Sequence, residues 1–248
     1  MKKVLAIAVV IVAAFLLLAG GKSSRLVILH VNDTHSHFEP IRSGLDSLRG
    51  GRFELADNAA FRDAYTIAVP DTVGMNFQSA PVPEGRKFRY MRYIPKAGTS
   101  GNIAEIELYG RDGQQLTAGK IIGTYAPRDK FHPMGNAFDG DVLSYASCSP
   151  SQPEMPWVGL DLGWAVELSQ LCYLPRNDDN FIREGEVYEL CYWDGEGWAS
   201  LGHQIGRRAT QELVYDNVPG NTLLLLHNHT KGKEERIFTY EDGRQVWW

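Results

Sequence analysis

The chain has 248 residues, with 25 Lys and Arg against 30 Asp and Glu, and a formal net charge of −5. This length suffices for one large domain or two small ones, and the scattered basic residues give no nucleic-acid-binding surface, so nucleic acid is not expected as a partner. The 6 tryptophans, 11 tyrosines, 25 glycines and 12 prolines favour a β-rich protein with many turns.

Residues 1–21 have the pattern of an export signal. Met1–Lys3 gives a basic start, and Val4–Ala19 is a continuous hydrophobic run. Because this run is somewhat shorter than the ~20 residues of a typical membrane span, we expect cleavage after it and no stable membrane span once the signal is removed. The sequence therefore predicts a bacterial protein that is exported to the periplasm, to the cell surface or into the medium.

A short hydrophobic strand in residues 22–49 leads into Asp33 and His35. A carboxylate and an imidazole two residues apart on one loop can reach the same divalent ion. This segment resembles the first metal motif of metallophosphoesterases of the 5′-nucleotidase type. The resemblance implies that Asp33 and His35 are metal ligands.

The remaining metal motifs of such an enzyme do not follow. Gly135-Asn136 lacks the histidine that should come next, Gly140-Asp141 lies beside it rather than far upstream, and His227–His229 has a different spacing. A two-metal site clamps both the attacking and the leaving oxygen, so part of a ligand set does not make a hydrolase. We therefore predict a phosphoesterase-like remnant at residues 22–49 and no catalytic residues. The alternative is a truncated metal-dependent phosphoesterase.

The three cysteines are Cys148, Cys172 and Cys191, and none belongs to a Cys-x-x-Cys pair. Three cysteines cannot complete a disulfide framework. We expect small buried side chains, with a Cys172–Cys191 disulfide as the alternative in an oxidising compartment.

After the signal, the strong segments alternate apolar and polar residues with period two or form short apolar runs. The predicted strands include Phe88–Tyr90, Ile103–Tyr109, Val158–Leu162, Tyr188–Tyr192 and Leu223–Leu226. Turn sequences such as Asp112-Gly113, Asp194-Gly195 and Pro219-Gly220-Asn221 separate them. Short strands divided by such turns predict an all-β fold, an antiparallel sandwich or jelly roll.

Several of these segments resemble the strands of discoidin domains, which are coagulation-factor type C, galactose-binding-like β-sandwiches. The matching segments are Lys87–Tyr93, Asn102–Gly110, Ala137–Asp141 and Trp157–Gly163. Tyr173–Phe181 and Lys231–Tyr240 resemble the variant found at the C-terminal ends of exported bacterial glycan-processing proteins. The resemblance implies a partial discoidin-like unit at residues 50–110 and a complete jelly-roll β-sandwich at residues 111–248.

The loops at the rim of such a sandwich are free to bind a ligand. The loop residues expected to hydrogen-bond sugar hydroxyls are Arg176, Asn177, Asp178 and Asn180, and Trp198 could stack on a sugar ring. The alternative for this loop is a turn stabilised by its own Asx hydrogen bonds. We expect an exported, non-catalytic module that binds carbohydrate or a cell-surface glycoconjugate and could act with a separate catalytic partner.

In related sandwiches the loop at Ala137–Asp141 often holds a structural calcium ion. The resemblance implies that its ligands are Asp139, Asp141, Ser144 and Glu235. Carboxylate and hydroxyl oxygens suit calcium. The alternative is a tight turn without an ion, and no other cofactor is expected.

Overall fold

The structure of the chain is a computed structural model that describes residues 24–28, 47–152, 154–234, 237–241 and 244–248. The predicted signal peptide at residues 1–21 lies outside these residues, as do Asp33, His35 and Glu235. The described residues form two compact units. We call residues 47–181 the central unit, and residues 24–28 together with residues 182–248 the C-terminal unit.

The described residues are almost entirely strands and turns, with one short 3-10 turn at Met134–Ala137. The strands are β1 (Ser24–Ile28), β2 (Arg52–Ala56), β3 (Tyr65–Ala68), β4 (Gln78–Pro81), β5 (Lys87–Ile94), β6 (Ile103–Gly110), β7 (Lys120–Gly123), β8 (Val158–Pro175), β9 (Val187–Trp193), β10 (Trp198–Ile205), β11 (Leu213–Val218), β12 (Leu224–Asn228), β13 (Lys233–Glu234), β14 (Phe238–Glu241) and β15 (Arg244–Trp247). Their pairings are antiparallel, which confirms the prediction of an all-β, antiparallel fold.

The central unit is organised around the long strand β8. Its first part pairs with β5 and β7, and its last part pairs with β4 and β6. Strands β2 and β3 extend the sheet beyond β5. The alternating apolar side chains of these strands meet in one core, whose fully buried members include Phe53, Phe88, Tyr93, Leu108 and Leu171.

The C-terminal unit contains a sheet in the order β10-β9-β12-β14-β15, with β13 paired to β12. Strands β1 and β11 form a separate antiparallel pair. Apolar side chains of this pair and of the sheet share one buried cluster that includes Leu26, Tyr188, Leu190, Tyr215 and Leu226. The hydroxyl of Tyr215 donates a hydrogen bond to the carbonyl of Tyr188 at 3.1 Å, which satisfies the one polar atom of that buried ring.

Strands on either side of the expected boundary at residues 110 and 111 pair with one another. Strand β6 precedes that boundary, yet it pairs along β8, which follows it, so residues 50–110 and residues 111–181 share one core. The C-terminal unit begins at Ile182 and includes β1 from residues 22–49, where a phosphoesterase-like remnant was expected. Local alternation predicts a strand but leaves its partner open, because pairing is set by contacts between segments distant in sequence.

All three cysteines are thiols in the structure. Cys148 and Cys172 are buried, as expected for small apolar side chains, and Cys191 is half-buried. Within the described part of the chain, no helix has both the length and the apolar character that crossing a membrane requires.

Gly159 gives a direct test of the packing around β8, because it pairs with Arg92 of β5 and with Ile122 of β7. An added Cβ would collide with the Met91 carbonyl oxygen and approach the Arg92 Cα to 2.8 Å. We therefore expect Gly159→Ala to lower the free energy of unfolding by about 2 kcal/mol, within the range typical of overpacking. Urea denaturation of the purified chain measures this loss.

The matched control is Gly135→Ala, because a Cβ at Gly135 meets only the Ile121 Cδ1 atom at 3.9 Å. This variant is expected to change the free energy of unfolding by less than about 0.5 kcal/mol. Equal denaturation midpoints for the two variants would contradict the arrangement of β5, β8 and β7.

Candidate functional site

The loop at residues 176–180 was expected to line a ligand rim, and the structure buries two of its residues. Asn177 is 2% exposed and Asn180 is 0% exposed. The Asn177 amide donates to the Val142 carbonyl at 2.9 Å and its Oδ1 accepts from the Asp179 N–H at 2.8 Å. The Asn180 amide donates to the carbonyls of Asn177 and Asp178 at 3.0 Å. Both side-chain amides therefore hold the loop together, as in an Asx turn.

Arg176 and Asp178 form the half-exposed side of the same loop. The Arg176 Nε donates to Asp178 Oδ1 at 2.8 Å, and the guanidinium lies 4.7 Å from the centre of the Tyr145 ring. Asp178 Oδ2 is buried and accepts no hydrogen bond from the described residues. Of the four expected ligand residues of this loop, Arg176 and Asp178 are the two whose side chains keep some solvent exposure, at 19% and 21%.

The expected calcium ligands Asp139, Asp141 and Ser144 lie together in one loop of the central unit. The Ser144 hydroxyl donates to Asp139 Oδ2 at 2.8 Å, and Asp139 Oδ1 accepts from the Asp141 N–H at 2.9 Å. Asp141 Oδ1 accepts from the Leu143 N–H at 3.0 Å. The carboxylates therefore shape a tight turn by accepting hydrogen bonds within the loop.

Glu105 of β6 is a member of this cluster that the sequence analysis missed. It is 2% exposed, accepts a hydrogen bond from the Gly140 N–H at 2.7 Å, and hydrogen-bonds to the Asp139 carboxylate. Burial first, and the Asp139 carboxylate second, raise the pKa of Glu105 to about 8. A glutamate between Ala104 and Ile106, in a strand that is buried on both faces, is the signal that could have revealed it.

The carboxylates of Glu105, Asp139 and Asp141 and the hydroxyl of Ser144 make an oxygen-only donor set. Such a set suits Ca²⁺, whose positive charge could take the place of the proton between Glu105 and Asp139. The donor chemistry of these residues therefore suits the calcium ion that the resemblance implies, although, among the described residues, their three carboxylates are not a group whose ligand atoms all lie within 4.8 Å of one another.

A third group of candidate residues lies on the outward face of β9 in the C-terminal unit. Trp193 and Trp198 are cross-strand partners at the tip of the β9–β10 hairpin. Their ring centres are 5.6 Å apart in an edge-to-face contact, and the two residues are 40% and 38% exposed. Two large indole rings thus lie side by side at the surface, where each presents apolar area to solvent.

An open cleft of about 540 Å³ adjoins Trp193 and continues over the turn at residues 219–223. The Thr222 hydroxyl donates to the Trp193 carbonyl at 2.6 Å, which ties this turn to the hairpin. Asn221 has a φ of 54° and an exposed side chain, and the exposed Asp194 uses its Oδ1 to accept the N–H groups of Glu196 and Gly197. Trp193 and exposed polar groups therefore border one open cleft, next to Trp198, which the sequence predicted to stack on a sugar ring.

No family model, curated protein or solved structure matches this chain. The discoidin-like and phosphoesterase-like resemblances therefore stay expectations, and function is inferred from the geometry of the described residues.

Glu105 gives a pH-dependent prediction with a defined sign. Its folded-state pKa of about 8 lies above the ordinary value of 4.5, so the folded chain holds the proton more tightly than the unfolded chain. This contribution to stability is complete below pH 4.5 and is lost as the pH rises towards about 8. In buffer containing a metal chelator, we expect Glu105→Gln to lose this part of the pH dependence, because its amide is neutral throughout.

Urea denaturation across this pH interval measures the effect, and Glu84→Gln is the control because the Glu84 side chain is 90% exposed. The control should follow the wild-type pH profile. A Glu105→Gln profile parallel to that of the wild type would show that Glu105 is not protonated in the folded chain.

Proposed function

We propose that this chain is an exported, non-catalytic binding module for carbohydrate or a cell-surface glycoconjugate. The observation that supports the proposal most is the exposed Trp193–Trp198 pair beside the cleft at residues 219–223. The proposed ligand lies against these indole rings in the C-terminal unit. A separate catalytic partner could act on the same glycan.

The physical basis is the amphipathic character of a sugar ring. One face of a hexose exposes C–H groups that pack on an indole, and its hydroxyls need hydrogen-bonding partners when they leave water. Trp193 supplies the apolar surface, while Asn221 and Asp194 supply polar groups at the edge of the same cleft. Edge-to-face contact limits the rotation of both rings, so little rotamer entropy is lost on binding.

The finer fold that we propose is a galactose-binding-like jelly roll, to which the discoidin-like segments and the antiparallel sheets both point. Export is proposed from the basic and hydrophobic pattern of residues 1–21. Within the loop at residues 176–180, we assign Asn177 and Asn180 to loop structure, and Arg176 and Asp178 to a secondary polar surface.

The binding proposal predicts that Trp193→Ala and Trp198→Ala each weaken glycan binding at least tenfold. Tenfold corresponds to about 1.4 kcal/mol, and buried tryptophans at interfaces commonly contribute about 2 kcal/mol or more. A glycan array with the full chain identifies the ligand, and titration calorimetry then gives the dissociation constants of the variants.

Trp164→Ala is the matched control, since Trp164 is 65% exposed but belongs to the central unit. It should bind like the wild type. The proposal is contradicted if the wild type binds no glycan, if Trp198→Ala binds as Trp164→Ala does, or if binding falls with Arg176→Ala instead.

We also propose that Asp139, Asp141 and Ser144, together with Glu105 of β6, hold a structural calcium ion; Glu235 lies outside the described residues. Calcium that binds only the folded chain raises the free energy of unfolding, by about 2.7 kcal/mol when the free calcium concentration is about 100 times the dissociation constant. We therefore expect CaCl₂ to raise the melting temperature of the wild type, and Asp139→Asn to remove most of that rise.

Asp112→Asn is the control, because Asp112 also accepts a backbone N–H in a turn, that of Gln114 at 3.0 Å, but lies in another loop. Its melting temperature should respond to CaCl₂ as the wild type does. A wild-type melting temperature that CaCl₂ leaves unchanged in differential scanning calorimetry would refute the calcium site.

A further inference from the structure

The strand register of the C-terminal unit brings imidazoles and a carboxylate together on the outward face of β9. Glu189 of β9 is the cross-strand partner of His203 on β10 and of His227 on β12. His229 lies two positions after His227, and its N–H donates to the Val187 carbonyl at 2.9 Å, which continues the pairing. Because side chains alternate along a strand, His227 and His229 point to the same side as Glu189.

A β-bulge in β10 is what places His203 on this face. Ser200 pairs with Cys191 and His203 pairs with Glu189, so Leu201 and Gly202 together face a single residue of β9. With regular pairing, Gly202 would lie opposite Glu189, and the His203 side chain would point towards the core. The extra residue reverses this alternation, and Gly202, with a φ of 104°, adopts a backbone conformation that other residues rarely take.

Three side-chain atoms that could bind a metal ion lie close together on this face. Glu189 Oε2 lies 2.7 Å from His229 Nε2 and 3.7 Å from His203 Nε2, and the three atoms all lie within 4.8 Å of one another. The Ser200 side chain hydrogen-bonds to the Glu189 carboxylate and orients it. The His227 ring lies 4.3 Å from the His229 ring and limits its rotation away from Glu189.

We propose that Glu189, His203 and His229 form a binding site for a divalent transition-metal ion of the zinc class. Tetrahedral zinc with bonds of about 2.0–2.1 Å holds its ligand atoms about 3.3–3.4 Å apart, a separation within the span that these atoms already occupy. Two imidazole nitrogens favour Zn²⁺, Ni²⁺ or Cu²⁺ over Ca²⁺ or Mg²⁺.

Three protein ligands at the surface leave at least one coordination position for water or for a ligand atom from outside the chain. The side chains of His203 and His229 are 54% and 41% exposed, so an ion can reach the site directly from solvent. The site does not depend on the carbohydrate proposal, since it shares no residue with the Trp193–Trp198 cleft.

The competing arrangement of the same residues is a network in which protonated histidines pair with Glu189. The two arrangements respond oppositely to pH. Metal ligation requires neutral imidazoles and therefore competes with protons, whereas the ion pairs form only when the imidazoles are protonated.

The test is titration calorimetry of ZnCl₂ into the full chain after chelator treatment, at pH 7.5 and at pH 5.5. We expect one zinc ion per chain at the higher pH and much weaker binding at the lower pH. His203→Ala/His229→Ala should weaken zinc binding by more than about 100-fold, because removing even an outer-shell partner typically costs about 10- to 100-fold. Glu189→Gln, which keeps the shape of the side chain, should also weaken it.

Two matched controls each change a histidine that lies elsewhere in the chain. His132→Ala removes a histidine of the central unit, and Asp33→Ala/His35→Ala removes the motif that resembles a phosphoesterase. Both controls should bind zinc like the wild type. Zinc binding that survives in both His203→Ala/His229→Ala and Glu189→Gln, that disappears only in Asp33→Ala/His35→Ala, or that is absent from the wild type at millimolar zinc would overturn the proposal.

Discussion

The C-terminal unit depends on strand β9, which pairs along both edges and whose side chains alternate between the buried core and the outward face. Tyr188 and Leu190 point into the buried cluster, so Glu189, Cys191 and Trp193 must point outward. Because β10 and β12 fix the register on either side, a one-residue slip of β9 would expose its core residues and bury a carboxylate. Because such a slip is costly, the register keeps Glu189 and Trp193 on the outward face, where each belongs to one of the two proposed binding surfaces of this unit.

The start of β9 is held by a buried polar network. The carboxylate of Glu186 accepts hydrogen bonds from the Tyr188 hydroxyl and from the Asn228 amide, each at 2.8 Å, and Lys231 lies 3.6 Å from its other oxygen. Tyr188 in turn accepts from Arg183 N–H at 3.1 Å. These charge-assisted contacts satisfy a carboxylate that is 9% exposed, and they connect β9 to β12, which bears His227 and ends one residue before His229.

Sequence patterns predicted the strands well, since alternation of apolar and polar residues is a local property. The segments at 103–109, 158–162 and 188–192 all lie within observed strands. The sequence left open what depends on distant contacts: the four partners of β8, the proximity of Glu105 to Asp139, and the bulge that turns His203 outward. The residue types of the loop at 176–180 fitted both a ligand rim and an Asx turn, and only burial distinguishes Asn177 from an exposed ligand residue.

The central claim is that the tip of the β9–β10 hairpin binds a ligand without catalysing a reaction of that ligand. Amide chemical-shift mapping by NMR tests it most directly, with the isotope-labelled full chain titrated with an oligosaccharide to which it binds on the array. The account predicts shifts confined to residues 192–198 and 219–223, with the oligosaccharide recovered unchanged. Shifts centred on residues 176–180, or cleavage of the oligosaccharide, would contradict it.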